Sequence, residues 1–226
     1  MNTAFRRGGI GLCGLAVLVA ALFAAPAMAG SISGEMTADN AFFAYISTND
    51  SVLGTLVASE NNWGGTSSFS NIALTPGVTY YLHVEAINYG GAAGFIGQFD
   101  LSGTGFQFAN GTQDLLTDTT DWRGIYNNGS GAVTAQPWVE PTGGVASLGA
   151  NGIGPWGTRP GISGNADWIW PSDADSMPGG GLCGNCTVDF STPIETVSGA
   201  PEPPSMWLMG TALLASCFLR HMLRDN

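Results

Sequence analysis

The chain has 226 residues, 44% of them hydrophobic and only 10% charged, and it contains no lysine. Between Gly30 and Ala200, fifteen acidic residues face two basic ones, Arg123 and Arg159, which gives this region a net charge of about −13. Such a surface lacks the positive footprint that neutralises phosphates, so we expect no nucleic-acid partner. It is compatible with divalent cations and with neutral polysaccharides.

The first 29 residues have the pattern of a removable secretory signal. Two arginines supply a positive start, residues 10–25 form an uncharged apolar run, and Ala27 and Ala29 are small residues just before Gly30. This pattern predicts an N-terminal signal helix that signal peptidase cleaves after Ala29. The alternative is an uncleaved membrane anchor, but the run is short for a bilayer and ends at a cleavage-like site.

Residues 30–192 are predicted to form one all-β domain. Short runs rich in aromatic and β-branched residues alternate with turn residues, and glycine is abundant, at 34 residues. No long stretch between the two ends has helical spacing. This combination favours a β-sandwich or jelly roll with one hydrophobic core. The alternative is a disordered glycine-rich linker, which would carry fewer aromatic and aliphatic residues.

The predicted strands follow one another in short steps. We expect a hairpin of strands 41–47 and 52–58 around a turn at 49–51, then a loop at 61–65, and then strands at 68–74, 78–88 and 92–101. Thr75-Pro76-Gly77 predicts a turn between two of them, because proline and glycine each favour one turn position. In the strand 78–88, apolar residues alternate with Tyr81, His83 and Glu85, so these three are expected on a half-exposed face.

Several segments are similar to galactose-binding-like jelly rolls. The similarity rests on residues 37–40 (TADN), 88–95 (NYGGAAGF), 119–123 (TTDWR) and 166–170 (ADWIW), and it spans residues 31–190. Where such domains bind sugar, exposed aromatic rings stack on the pyranose and polar side chains hold its hydroxyl groups. The resemblance therefore implies a β-sandwich that associates with polysaccharide.

Five residues are candidates for such a carbohydrate site. Trp63 and Trp122 lie in or next to loops, whereas Tyr81, His83 and Glu85 share one face of a predicted strand. Alternatively, Trp122 fills the core, and the other three belong to an ordinary solvated strand face. Three further tryptophans are expected to pack the sandwich edge: Trp156, Trp168 and Trp170.

Cys183 and Cys186 are the only two cysteines between the signal and the C-terminal apolar segment. In a cytosolic protein a C-x-x-C sequence next to a βαβ pattern would suggest redox chemistry. In an exported all-β chain a small structural disulfide is favoured. Two cysteines are too few to predict zinc.

No cofactor is predicted, although structural calcium has oxygen-ligand candidates in Asp39, Asn40, Asp50, Asp173 and Asp175. None of them has the spacing of a known calcium loop. Paired carboxylates for glycoside hydrolysis are defined by their separation in space, which the sequence leaves open. His83 is the only histidine of the predicted domain, and nothing in the sequence supports a Ser-His-Asp arrangement. We therefore expect no enzymatic activity.

The C-terminus combines three features. Pro201-Glu202-Pro203 lies in a proline-rich linker, predicted over residues 193–205; an apolar run follows at 206–219, and the chain ends in a segment with two arginines. Residues 206–226 are predicted to form a transmembrane helix with a basic cytoplasmic tail. The alternative is a buried C-terminal helix, against which the proline-rich linker argues.

Together with a signal peptide, this arrangement resembles the PEP-CTERM sorting signal. The resemblance implies recognition and cleavage by an exosortase, in Gram-negative bacteria that make exopolysaccharide. It predicts export through an inner-membrane intermediate to the outer surface or extracellular matrix. Three functions remain open: a polysaccharide-associating surface protein, a purely structural envelope or biofilm component, and, third, a secreted glycoside hydrolase.

Overall fold

The computed structural model describes residues 30–127, 137–174, 183 and 185–197. The chain divides into a unit spanning Met28–Val197 and a second unit made of Met1–Ala27 and Ser198–Asn226. All described residues belong to the first unit. The predicted signal segment, sorting motif and transmembrane helix lie outside the described residues.

The described residues form twelve strands and no helix, so the prediction of an all-β domain is confirmed at this level. The strands are β1 (Gly30–Asp39), β2 (Ala41–Ser47), β3 (Thr55–Glu60), β4 (Ser67–Leu74), β5 (Tyr80–Asn88), β6 (Gly94–Ser102), β7 (Phe106–Phe108), β8 (Asp114–Leu116), β9 (Arg123–Tyr126), β10 (Val145–Ala150), β11 (Asp167–Pro171) and β12 (Cys186–Thr196). No helix in the described ranges is long and apolar enough to cross a membrane.

The strands make two antiparallel sheets of six strands each, an arrangement consistent with a β-sandwich. Sheet A has the order β10-β11-β6-β1-β4, and β8 also pairs with β6. Sheet B has the order β3-β2-β5-β12-β7, and β9 also pairs with β12. Strand β12 continues to Thr196, so the last strand extends past the predicted domain boundary at residue 192.

One hydrophobic core is built from the facing sides of both sheets. Phe95 of sheet A lies 5.2 Å from Phe190 of sheet B, measured between ring centroids. Trp122 is buried between Phe95 and Phe99, at 5.4 and 5.6 Å. Buried aromatic rings of this size contribute a large share of the apolar area that folding removes from water.

A second, smaller cluster covers the outer side of sheet A. Trp156 stacks on Trp168 with 4.3 Å between ring centroids, and both are buried with Ile96 and Ile162. Trp156 comes from the long β10–β11 connection, and its indole N–H donates to Asp39 at 2.9 Å. Trp170, which was also expected at the sandwich edge, is instead buried in the main core, with its ring centroid 6.0 Å from that of Phe190.

Strand β5 departs from the predicted pattern because both of its faces are covered. Residues Leu82 to Asn88 are all buried, with His83 at 0% and Glu85 at 1% exposure. The half-exposed face predicted for Tyr81, His83 and Glu85 is therefore wrong for the last two. The alternation of side chains is present, but β5 is an inner strand of sheet B and residues 137–140 lie over its outer face.

Edge strands are short or interrupted by bulges. Val57 is an extra residue where β3 pairs with β2, and β4 has an irregularity at Asn71, whose φ is 55°. Strand β10 has an extra residue at Leu148. Strands β7, β8 and β9, which pair with β12 or β6, have only three or four residues. Bulges and short strands hinder edge-to-edge pairing with other chains. They do so here without any lysine.

Candidate functional site

A polar cluster lies on the outer face of sheet B. Four neighbouring strands place Arg123, Ser191, His83 and Tyr45 side by side in one row. The next row contains Asp189 opposite Glu85. Core residues such as Val84 and Phe190 alternate with these positions, so the two rows face away from the core.

Asp50 joins the first row from the β2–β3 turn. Its carboxylate accepts hydrogen bonds from Ser191 Oγ at 2.5 Å and Arg123 at 2.6 Å, and its Oδ1 lies 3.0 Å from His83 Nε2. Burial alone would raise the pKa of Asp50, but the bonds from Ser191, His83 and Arg123 outweigh it and lower that pKa. The cluster therefore holds the turn onto the sheet through an ionised carboxylate.

Trp138 closes this cluster from outside. Its ring stacks on His83 with 4.1 Å between centroids, and its indole N–H donates to the backbone carbonyl of Asp50 at 2.8 Å. His83 Nδ1 lies 3.2 Å from the carbonyl oxygen of Leu53. Burial lowers the pKa of His83, and the hydrogen bond to Asp50 opposes this effect.

The domain thus brings a serine, a histidine and an aspartate together in an order unlike a catalytic triad. In a triad the histidine lies between the other two, so that one ring nitrogen can take the serine proton. Here Asp50 lies between Ser191 and His83, and both ring nitrogens of His83 face other oxygen acceptors. Ser191 is also fully buried. This geometry gives the hydroxyl no imidazole base.

The second row is a buried pair of carboxyl groups. Asp189 Oδ2 accepts from the Val139 N–H at 3.0 Å and the Asn127 amide at 2.7 Å. Burial raises the pKa of Asp189 to about 8 despite these bonds, and the charge of Glu85 adds to the rise. Asp189 is therefore protonated at neutral pH. A glycosidase places its two carboxyl groups on either side of a substrate, whereas these two are closed to solvent.

The five predicted carbohydrate residues do not come together. Trp63 is half-buried against the cluster outside sheet A, and the Arg159 guanidinium lies 5.3 Å from its ring centroid. Tyr81 is half-buried on the outer face of sheet B, with its ring centroid 6.0 Å from that of the buried His83. Trp122 fills the core, which was the alternative interpretation. No concave surface joins Trp63 and Tyr81, because they lie on opposite outer faces.

The oxygen ligands considered for calcium are engaged by protein donors. Asp39 accepts from Trp156, Asn40 Oδ1 accepts from the Tyr89 N–H at 2.6 Å, and Asp50 is held as described. Asp173 accepts from the Tyr126 N–H, and Asp175 lies outside the described residues. Within the described ranges no group of three or more metal-ligating side chains converges.

Cys183 and Cys186 are joined by a disulfide. Cys186 is the first residue of β12, and the Cys183 carbonyl accepts a 2.6 Å bond from the Asn88 amide at the end of β5. Both cysteines are buried. The bond therefore fixes the segment that enters β12 against the neighbouring strand.

A shallow depression on the outer face of sheet B was not anticipated from the sequence. It has a volume of about 300 Å³ and is lined by Ala41, Phe43, Ser59, Glu60 and Asn61. Phe43 is half-buried, and its cross-strand neighbour on β5 is Glu85. The sequence feature that could have indicated it is the alternation in strand 41–47, which puts Phe42 in the core and therefore Phe43 on the outer face.

The fold and these surfaces define an all-β protein of two antiparallel sheets, with a tightly bonded polar layer outside sheet B. No family model, curated protein or solved structure matches the chain.

Proposed function

We propose that this chain is an exported cell-surface or matrix protein of a Gram-negative bacterium. Signal peptidase removes residues 1–29, and an exosortase recognises Pro201-Glu202-Pro203. The domain has a galactose-binding-like jelly-roll fold and associates with exopolysaccharide without catalysis. The observation that carries the proposal is the combination of an export pattern and a PEP-CTERM-like tail on either side of one β-domain, whose strands run from Gly30 to Thr196.

The geometry of the polar layer supports a non-catalytic role. Ser191, His83, Asp189 and Glu85 are buried. Ser191 and His83 are both bonded to Asp50, and Asp189 is bonded to Val139 and Asn127, which stabilises the fold. The acidic domain favours a neutral glycan over an anionic one, because an acidic polymer would be repelled.

A purely structural envelope or biofilm component is the second candidate. It is favoured by the burial of His83, Glu85 and Trp122 and by the separation of Trp63 from Tyr81. A binding assay distinguishes the two candidates. It measures whether the full-length chain binds polysaccharides saturably, including the matrix polysaccharide of its own host. Binding supports the first candidate, and its absence from every polymer supports the second.

The sorting step has its own test. Replacing Pro201-Glu202-Pro203 by three alanines should trap the precursor in the inner membrane, as followed by cell fractionation and immunoblotting. The matched control is Ser205→Ala, which changes a residue of the same linker, leaves the tripeptide intact and should be sorted normally. Normal display of the triple-alanine variant would contradict exosortase sorting.

A further inference from the structure

We infer that the depression lined by Ala41, Phe43, Ser59, Glu60 and Asn61 is a binding subsite for one neutral pyranose ring of a polysaccharide. It lies at the open end of the β2–β3 hairpin, away from the turn that carries Asp50. This inference rests on the proposed function, for which it names the place and the class of ligand. It assigns stacking to Phe43, in place of the aromatic residues predicted from the sequence.

The depression has a volume of about 300 Å³, which leaves room for one sugar ring. Ala41, Phe43 and Ser59 lie on the outer face of sheet B, because Phe42 between the first two is buried in the core. The small Ala41 and the large Phe43 side chains both line the depression. The half-buried Phe43 ring forms an apolar wall on which the C–H face of a sugar can pack.

The rim of the depression carries both hydrogen-bond donors and hydrogen-bond acceptors. The Ser59 hydroxyl and the Asn61 side-chain amide are exposed at the edge and can each donate and accept. The Glu60 Oε1 accepts the Asn61 N–H at 2.8 Å, and the inference assigns the Oε2 of Glu60 to a sugar hydroxyl. An apolar surface with a few placed polar groups is the usual composition of a small-ligand site.

Charge selects a neutral glycan. None of the five lining residues is basic, and Glu60 lies in the lining itself. Both arginines of the domain are engaged elsewhere, Arg123 by Asp50 and Arg159 by the backbone carbonyls of Trp63 and Gly64. An anionic polymer would therefore meet acidic side chains without a compensating cation.

The test measures binding of the full-length chain to dextran, galactan and xylan as neutral probes and to alginate as an anionic probe. Phe43→Ala should weaken binding to the preferred neutral polymer about tenfold to a hundredfold, because the stacked apolar area is lost. Asn61→Ala on the exposed rim should weaken it less, and Phe43→Tyr should retain it. The matched control is Leu56→Ala, which removes an apolar side chain that is 51% exposed on β3 outside the depression.

The outcomes separate this inference from the proposed function. Binding by the wild type that survives Phe43→Ala and Asn61→Ala overturns the subsite and leaves polysaccharide association standing. A wild type that binds none of the probes or host polymers overturns both. Preference for alginate overturns the assignment to a neutral ring. Thermal melting of each variant checks that it is folded. If Phe43→Ala melts at a lower temperature than the wild type, the binding of Asn61→Ala and Phe43→Tyr tests the subsite instead.

Discussion

Two carboxyl groups, Asp189 and Glu85, face each other in the buried layer outside sheet B, and their chemistry sets a pH dependence. In the folded state the pKa of Asp189 is raised to about 8, whereas an aspartate in an unfolded chain titrates near 4. The folded state therefore holds the proton more tightly. The stability contributed by protonated Asp189 is complete below about pH 4 and is lost as the pH rises to about 8.

Asp189→Asn should remove this dependence. Asparagine mimics the protonated acid and can still accept from Val139 and Asn127. We expect the variant to be more stable than the wild type at pH 8 by about 3–5 kcal/mol, and to lose a slope that reaches about 1.4 kcal/mol per pH unit in the wild type. Urea denaturation between pH 5 and pH 9 measures both. Asp167→Asn, on a half-buried carboxyl of β11, is the control, and an unchanged slope in Asp189→Asn would contradict the assignment.

Asp50 holds together the row of polar side chains formed by Arg123, Ser191 and His83. Asp50→Ala leaves Arg123, His83 and Ser191 without their shared acceptor. Because Arg123 is 40% exposed and partly screened by solvent, we expect a loss of about 2–4 kcal/mol rather than the full cost of breaking a buried pair. Denaturant titration measures the loss.

Glu140→Gln is the matched control for that variant. Glu140 is exposed and accepts one bond from Ser51 in the same turn as Asp50. Its replacement should cost less than about 0.5 kcal/mol. Equal losses in the two variants would show that Asp50 is no more than another surface carboxylate.

At the scale of strands, side-chain alternation and turn residues correctly predicted the elements that neighbouring residues alone determine. The predicted strand 41–47 coincides with β2, and the predicted strands at 68–74 and 92–101 lie within two residues of β4 and β6. The Pro76-Gly77 turn is present, with Gly77 at a φ of 80° and the Val78 N–H bonded to Thr75. These features depend on side-chain alternation and backbone freedom, which neighbouring residues specify.

What the sequence could not supply was the set of long-range pairings. β1 mixes glycine and serine with apolar residues, so its identity as a strand depends on its neighbours β4 and β6. His83 looked exposed because a polar residue in an alternating strand usually is. Its burial follows from Trp138, which lies 55 positions further along the chain. His83 and Glu85 were chosen on that face as carbohydrate residues and are buried, whereas Tyr81 is half-buried as expected.

The Cys183–Cys186 disulfide acts at the scale of strands, and its contribution to the free energy of unfolding can be measured. Replacing both cysteines by serine should lower the free energy of unfolding by about 2 kcal/mol, because the closed loop is short and restricts few unfolded conformations. Thermal melting with and without reductant measures it. Reductant should shift the wild type and leave the double-serine variant unchanged, and a loss above about 4 kcal/mol would point to packing instead.

For the whole molecule, the boundary at Gly30 makes a definite prediction. Gly30 already pairs with Leu74 as the first residue of β1, so cleavage after Ala29 would leave that strand complete. Intact-mass spectrometry of the exported product should give an N-terminus at Gly30. Ala27→Leu and Ala29→Leu together should block processing, because signal peptidase needs small residues there. An exported wild type that starts at Met1 would contradict the prediction.

The positions of β1 and β12 constrain the order in which the domain can fold. The first strand lies inside sheet A, between β4 and β6, and the last lies inside sheet B, between β5 and the short strands β7 and β9. Sheet B therefore lacks an inner strand until Thr196 is available, and loop closure between such distant segments is slow. On the proposed export route, a chain that emerges N-terminus first from a translocation channel would complete sheet B only after nearly the whole domain had passed. The topology would then delay folding to the far side of the membrane and keep the chain competent for transport.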